Sequence, residues 1–303
     1  MKVTTHLIRF LLLISVAFAA QAQPFSKENR DKTKSLDERV RAKIAAFKGK
    51  VSIFAKNLDT GATYGFGADD RVRTASTIKV AVMIEAFAQV AEGKVKWTDE
   101  VALTKEKKVG GSGILKDLSD NLRLTLRDAV TLMIIVSDNT ATNMAVDVLT
   151  ADAVNARMES LGLKETRLMR KVLGGGDSKE GLLPENKRFG LGRSSPREMV
   201  TLLEKLERGE VVSAAASKEM IELLKRQQFH EGIGRSLQGV VIANKPGALD
   251  ALRSDVGIIY TPLGRIAMAI TCDEMPEVIW TNDNPGLLML NRLSEILIDG
   301  LGK

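Results

Sequence analysis

The 303-residue chain is predicted to fold as an α/β protein of the α+β kind. An antiparallel five-stranded sheet flanked by terminal helices should stand beside an all-helical lobe. Two observations predict this. Strand-like runs fall in two blocks, 51–66 and 240–271, with a helical pattern before the first and after the last. Between about 76 and 226 the apolar residues recur mostly at helical spacing. The sheet lobe is therefore expected at about 35–73 and 230–303, and the helical lobe at about 76–228.

The elements follow in order. Lys2 and Arg9 flank the start of an apolar run, Phe10 to Ala20, and Ala20-Gln21-Ala22 is a small-x-small site. A signal peptide over 1–22, cleaved before Gln23, is expected, and the run is too short to be kept as a membrane span. The mature body, 23–303, should then be periplasmic or secreted and free of the membrane. Ser35-Leu36-Asp37-Glu38 is a capping box that opens a helix to about Phe47. Val51 to Lys56 and Thr63 to Phe66 read as strands joined by an Asp59-Thr60-Gly61 turn. Ile78 to Val90 is apolar all round, as in a helix buried in the middle of a domain, and Gly93 ends it. Thr125 with Asp128 caps the next helix, Ser137-Asp138-Asn139 interrupts the pattern, and Thr140 to Leu149 resumes it. Residues 171–195 form a long irregular stretch of the kind that carries function or stays loose. Helices follow at 197–206 and 217–228. Val240 to Lys245 is a strand, and Asp255–Tyr260 with Arg265–Thr271 makes a hairpin across Thr261-Pro262-Leu263-Gly264. A helix from Leu287 to about Ile298, ending before Gly300, closes the chain.

Composition narrows the chemistry. The net charge is +6, falling to +4 once Lys2 and Arg9 leave, with both signs scattered, so no nucleic-acid partner is expected. The single Cys272 allows no internal disulfide, and the mature chain keeps one histidine, His230. That leaves no zinc set of the usual kind, and neither a metal nor a cofactor is expected. A monomer is expected. A lone histidine also argues against a Ser-His-Asp triad, so a serine nucleophile would take an amine or a carboxylate as its base.

Ser76 heads the buried helix, and Lys79 follows one turn later on the same face. Burial lowers an amine's pKa, so Lys79 could serve as base to the Ser76 hydroxyl. The pair alone is equally a capping serine followed by a snorkelling lysine. Val109 to Leu115 is glycine-rich, but no strand feeds it and no Gly-Lys-Ser/Thr follows, so it is a poor phosphate cradle. Ser137 or Asn139 alone could merely cap the helix from Thr140, and Lys245 could be a solvated charge at a strand end.

Taken together, Ser76-x-x-Lys79, Ser137-Asp138-Asn139 and Lys245-Pro246-Gly247 resemble, in order, the three motifs of class A β-lactamases and penicillin-binding proteins. The resemblance spans nearly the whole mature chain and is closest to the class A β-lactamase-related serine hydrolases. It implies a β-lactamase/D,D-peptidase-like fold and a small-molecule β-lactam or peptidoglycan-like substrate. It also implies roles: Ser76 as the acylated nucleophile, Lys79 as the amine that helps deprotonate it, and Ser137 as the relay to the leaving nitrogen. Asn139 would bind the substrate's side-chain carbonyl, and Lys245 its carboxylate. The N–H groups of Ser76 and Ala248, beside Gly247, would form the oxyanion hole.

Two departures stand out. The family has a hydroxyl residue where this chain has Pro246, so its strand should lie at a sheet edge and Arg253 is a candidate replacement for carboxylate binding. The family's deacylation loop, Glu-x-x-x-Asn, aligns after Thr166–Arg170 with Val172 and Gly176, neither of which can act as a base. Glu180 and Glu185, later in the same stretch, are the candidate substitutes. Three readings stay open: a β-lactamase, a D,D-peptidase or esterase on the same scaffold, and a penicillin-binding protein that turns over slowly or not at all.

Overall fold

The computed structural model describes residues 34–302; the signal segment expected at 1–22 lies outside the described residues. The chain begins with α1 (Leu36–Ile44), β1 (Lys50–Asn57), β2 (Thr63–Phe66) and β3 (Val72–Arg73). A 3-10 turn, Ala75–Ile78, runs straight into α2 (Lys79–Ala91). Then come β4 (Glu100–Ala102), β5 (Arg123–Thr125), α3 (Leu126–Ile135), α4 (Asn139–Leu149), α5 (Ala151–Ser160) and β6 (Arg167–Leu168). They are followed by α6 (Lys179–Leu182), β7 (Gly192–Ser194), α7 (Pro196–Glu207) and α8 (Ala214–Lys225). The last elements are β8 (Val241–Leu249), β9 (Leu252–Thr261), β10 (Gly264–Asp273) and α9 (Pro285–Leu301).

The main sheet is antiparallel in the order β2-β1-β10-β9-β8, which puts β8 at an edge. Strand side chains alternate between faces. Ile266, Met268, Ile270 and Cys272 of β10 therefore join Val51, Ile53 and Ala55 of β1 against α1 and α9. Ala267 and Ala269 point the other way, into a core shared with the helices. Burial on both faces explains why these strands read as continuous apolar runs. It also pushes the buried Cys272 thiol above its ordinary pKa.

α2 has no side-chain cap at its start. Ile78, Val80, Val82, Met83 and Ile84 are all wholly buried. At roughly 1.5–3 kcal/mol for each large apolar side chain buried, packing fixes this helix and the turn before it. Glu85, buried on the same helix, is offset by Arg157 at 2.9 Å.

Three details differ from the pattern read in the sequence. The second lobe is not all helical: β4 pairs with β5, and β7 pairs with both β3 and β6. Strands of two or three residues are too short to show a period. α1 stops at Ile44 rather than near Phe47. α9 runs through Gly300, where a Cβ would lie 2.6 Å from a methyl of Leu36, so that glycine permits close packing of α1 on α9 and is not a stop.

Candidate active site

Ser76 sits in the 3-10 turn that feeds α2, half-buried at the floor of a cleft of about 1100 Å³. The residue before it, Ala75, has φ +47°. That left-handed conformation costs a non-glycine residue about 1–2 kcal/mol and persists only where surrounding packing imposes it. β8 supplies that packing. A Cβ on Gly247 would lie 2.7 Å from the Thr74 carbonyl oxygen and 3.1 Å from the Ser76 nitrogen. Only glycine lets the strand come this close, and the closeness sets the Ser76 nitrogen beside Gly247.

Ser137 lies between two amines. Lys79 Nζ donates to Ser137 Oγ at 3.2 Å, to the Ser137 carbonyl at 2.7 Å and to Asn139 Oδ1 at 3.0 Å. Lys245 Nζ donates to the same Ser137 Oγ at 3.0 Å and to the Pro246 carbonyl at 2.8 Å. Neither lysine has exposed surface. Burial, reinforced by Lys245, drives Lys79 well below the ordinary lysine pKa, against the pull of Asp138. Burial brings Lys245 down to about 7, against the attraction of Asp255. An amine whose pKa is lowered is a readier base near neutral pH, and one that keeps part of its charge there can hold an anion. Ser137 itself has φ +53°, a second strained residue at the same site.

Asp138 fastens this corner. Its carboxylate accepts from Ala141 N at 2.8 Å, capping α4, and from Ile114 N and Leu115 N at 2.7 and 2.9 Å. The glycine-rich segment thus forms a cleft wall laid against α4. A Cβ on Gly113 would fall 2.2 Å from the Asp138 carboxylate, and one on Gly111 2.6 Å from Asn139 Nδ2. Asn139 Nδ2 also donates to the Gly110 carbonyl at 2.9 Å.

The structure brings Ser76, Ser137, Asn139, Gly247, Ala248 and Arg253 to one cleft, with Lys79 and Lys245 beneath Ser137. Lys245 lies within β8 rather than at its end. Pro246 does fall on the sheet's edge strand, where a missing N–H breaks no ladder. Arg253 lines the cleft but is already engaged: it donates to the carbonyls of Leu249, Leu252 and Ile279 at 2.6, 2.7 and 2.5 Å.

Val172 also lines the cleft, held by Asn143 of α4 through a pair of bonds, Val172 N to Oδ1 at 2.8 Å and Nδ2 to the Val172 carbonyl at 3.1 Å. Gly176 is exposed at the loop tip against Lys171. Glu180 and Glu185 are not brought to the cleft. Ser178 caps α6, so Glu180 accepts from Asn186 at 3.1 Å and lies 3.6 Å from Arg193. Glu185 is exposed on the following 3-10 turn, Pro184–Phe189.

The carboxylates that do line the cleft are Glu231, Asp250 and Asp255. Asp255, wholly buried and opposite Pro246 in the register, accepts from Ile233 N at 3.1 Å and from Asn244 Nδ2 at 3.0 Å. Burial pushes its carboxyl up to about 6 despite those bonds. The sequence reading passed over Asp255, although an acid opening the apolar run Val256–Tyr260 was a visible signal. It also passed over Asn143, Glu231 and Trp280, which sequence spacing does not mark.

Comparison with known proteins agrees with this geometry. The pattern of the beta-lactamase enzyme family matches residues 35–301. Beta-lactamase AER-1 of Aeromonas hydrophila is 26% identical over 234 residues, 76% of this chain and 75% of its own length. A solved β-lactamase from Sphaerobacter thermophilus superposes with a TM-score of 0.77 at 31% identity, covering 88% of this chain and 97% of that one. A mutant of PBP-A, solved as an acyl-enzyme complex with penicillin G, gives a TM-score of 0.75 at 25% identity over 87% of this chain and 94% of its own.

Proposed function

The chain belongs to the beta-lactamase enzyme family, and from that premise we propose that it is an exported serine hydrolase that opens β-lactam amides through an ester on Ser76 and releases the ester slowly. The observation that carries this reading is Ser137 Oγ held by two buried amines, Lys79 and Lys245, in the cleft that Ser76 lines. In the proposed reaction, Ser76 Oγ attacks the amide carbon and its proton passes to Lys79, whose affinity for a proton burial and Lys245 have lowered. The negative oxygen settles against the N–H groups of Ser76 and Ala248. As the C–N bond breaks, Ser137 gives its proton to the leaving nitrogen and is reprotonated from the amine behind it. Lys245 holds the substrate's carboxylate. Export rests on the Lys2–Ala22 pattern. The PBP-A acyl-enzyme supports acylation on a related scaffold.

Slow release follows from the loop. A general base typically contributes about 100- to 10,000-fold, or roughly 3–5 kcal/mol of barrier. Val172 brings no base to the cleft wall, and Glu180 and Glu185 are turned elsewhere. The apolar Val172 equally favours a second reading, a D,D-peptidase on the same scaffold. Intact-mass measurement after addition of penicillin tests acylation: a covalent adduct should accumulate on the wild type and be lost in Ser76→Ala. Undiminished labelling of that variant would remove Ser76 from its role. Steady-state hydrolysis of a chromogenic cephalosporin beside a D-Ala-D-Ala peptide separates the two enzymes.

A further inference from the structure

Trp280 is 62% exposed at the rim of the cleft, an unusual place for the largest apolar side chain. The chain's other tryptophan, Trp97, packs edge-on to Phe87 with ring centroids 4.7 Å apart. Trp280 instead rests on a cation: the Arg253 guanidinium lies 4.5 Å from its ring centroid. Arg253 is 3% exposed and tied to three backbone carbonyls, so it holds that face of the ring like a fixed plate. The exposed part of the ring is left for a ligand.

The position of this plate matters. Arg253 is the register partner of Ala248, so the two side chains stand on the same face of adjacent strands, roughly 5 Å apart. Trp280 therefore lines the cleft on the side where Arg253 and Ala248 stand. The opposite wall offers backbone, from Gly110 and Gly111. Aromatic surface in the cleft comes from Phe229 and Trp280 alone among the lining residues. Pro246 has removed the hydroxyl at this end, and Arg253 spends donors on carbonyls rather than on a substrate.

We infer that Trp280, seated on Arg253, is a specificity platform that stacks a flat aromatic or heteroaromatic group borne on the carboxylate side of the acylating substrate. The inference rests on the reading above that Ser76 is acylated. Stacking on an open aromatic face adds a contribution beyond area burial, and together they should be worth about tenfold in acylation efficiency. Being exposed, Trp280 can be removed at little cost to the fold.

The test uses two cephalosporins with the same acyl side chain. One carries a planar aryl-vinyl group on the ring carbon beside the carboxylate, and the other carries a methyl there. Trp280→Ala should lower the second-order rate of acylation by the aryl compound about tenfold, leave the methyl compound within about twofold, and be rescued by Trp280→Phe. In Ser76→Ala, which binds without reacting, titration calorimetry should show the aryl compound binding at lower concentration than the methyl compound, an advantage lost when Trp280→Ala is added and kept when Trp280→Phe is added instead. Equal effects of Trp280→Ala on both compounds, or none on either, would overturn the platform while leaving acylation intact. Failure of both compounds to label the wild type, with equal binding to Ser76→Ala, would overturn both readings.

Discussion

Lys245 should destabilise the fold while it is charged, and the sign of that effect can be read by varying pH. The side chain has no exposed surface, and burial lowers its pKa from 10.5 to about 7. That gap corresponds to roughly 5 kcal/mol, an upper bound because Asp255 pulls the other way. Below about 7 the lysine is charged in both folded and unfolded chains, so the cost is fully present. Between about 7 and 10.5 only the unfolded chain holds the proton, and the cost fades as pH rises. Asp255 runs oppositely: its carboxyl, raised from 3.8 to about 6, is neutral in the folded state at low pH and becomes a buried charge above that value. Lys245→Met at pH 5.5 therefore removes a buried charge without stranding another. We expect it to gain about 1–2 kcal/mol, roughly 3–6 °C in Tm for a domain of this size. At pH 8.5 the folded lysine is already mostly neutral and part of the cost has gone, so the advantage should be smaller than at pH 5.5. Acylation should show the same group, with efficiency falling above about pH 7 in the wild type as Lys245 stops holding the substrate carboxylate, and that limb should move out of range in Lys245→Arg. Thermal melts at the two pH values, beside stopped-flow acylation from pH 5 to 10, measure both. A methionine variant less stable than wild type at pH 5.5, or acylation level to pH 10, would refute the account of Lys245.

Three further outcomes are expected. Glu180→Gln and Glu185→Gln should leave the lifetime of the penicillin adduct unchanged, since neither carboxylate reaches the cleft; a lengthened lifetime, read by mass spectrometry, would make one of them the base. Val172→Glu should speed release by less than the ~100-fold of a well-positioned base, because Gly176 gives the new carboxylate no partner to aim it; full turnover in that variant would show the loop to be better formed than its glycines imply. Gly113→Ala should cost ~3 kcal/mol or more and slow acylation, because φ is +101° and the Cβ would meet the Asp138 carboxylate at 2.2 Å; a melt within about 1 °C of wild type would count against that wall being rigid.

Most of the sheet and the central helices were legible because their signals are long. Nine- and ten-residue strands buried on both faces, and a helix apolar all round, override local ambiguity. The short strands β3 to β7 were not legible, since two or three residues carry no period and pairing can depend on a partner far along the chain, as Val72 with Ser194. The site divides the same way. Ser76, Lys79, Ser137, Asn139 and Lys245 stand in recognisable spacings, and the fold gathers them. Arg253 was legible as a residue near the cleft but not as one bound to three carbonyls, a fact that belongs to the path of 249–252 and 279. Glu180 and Glu185 looked equivalent to any loop carboxylate. The local geometry that turns Glu180 away, a Ser178 cap and an Arg193 neighbour, appears only once the chain is folded.

The features that sequence conceals are also those that the fold must hold against their own preference. Ala75 and Ser137 are strained at φ +47° and +53°, and two amines are buried within reach of one hydroxyl. Each is unfavourable alone. None could persist on a loose loop, because relaxation of the backbone or entry of water would relieve it. Here the buried Ala75 lies against the glycine of β8, and Ser137 lies between α3 and a helix capped by Asp138. The apolar helix α2 thus does more than fill a core. Its rigidity keeps Lys79 out of water, keeps Ser76 in the cleft, and holds the strained Ala75 just before Ser76 in its left-handed conformation.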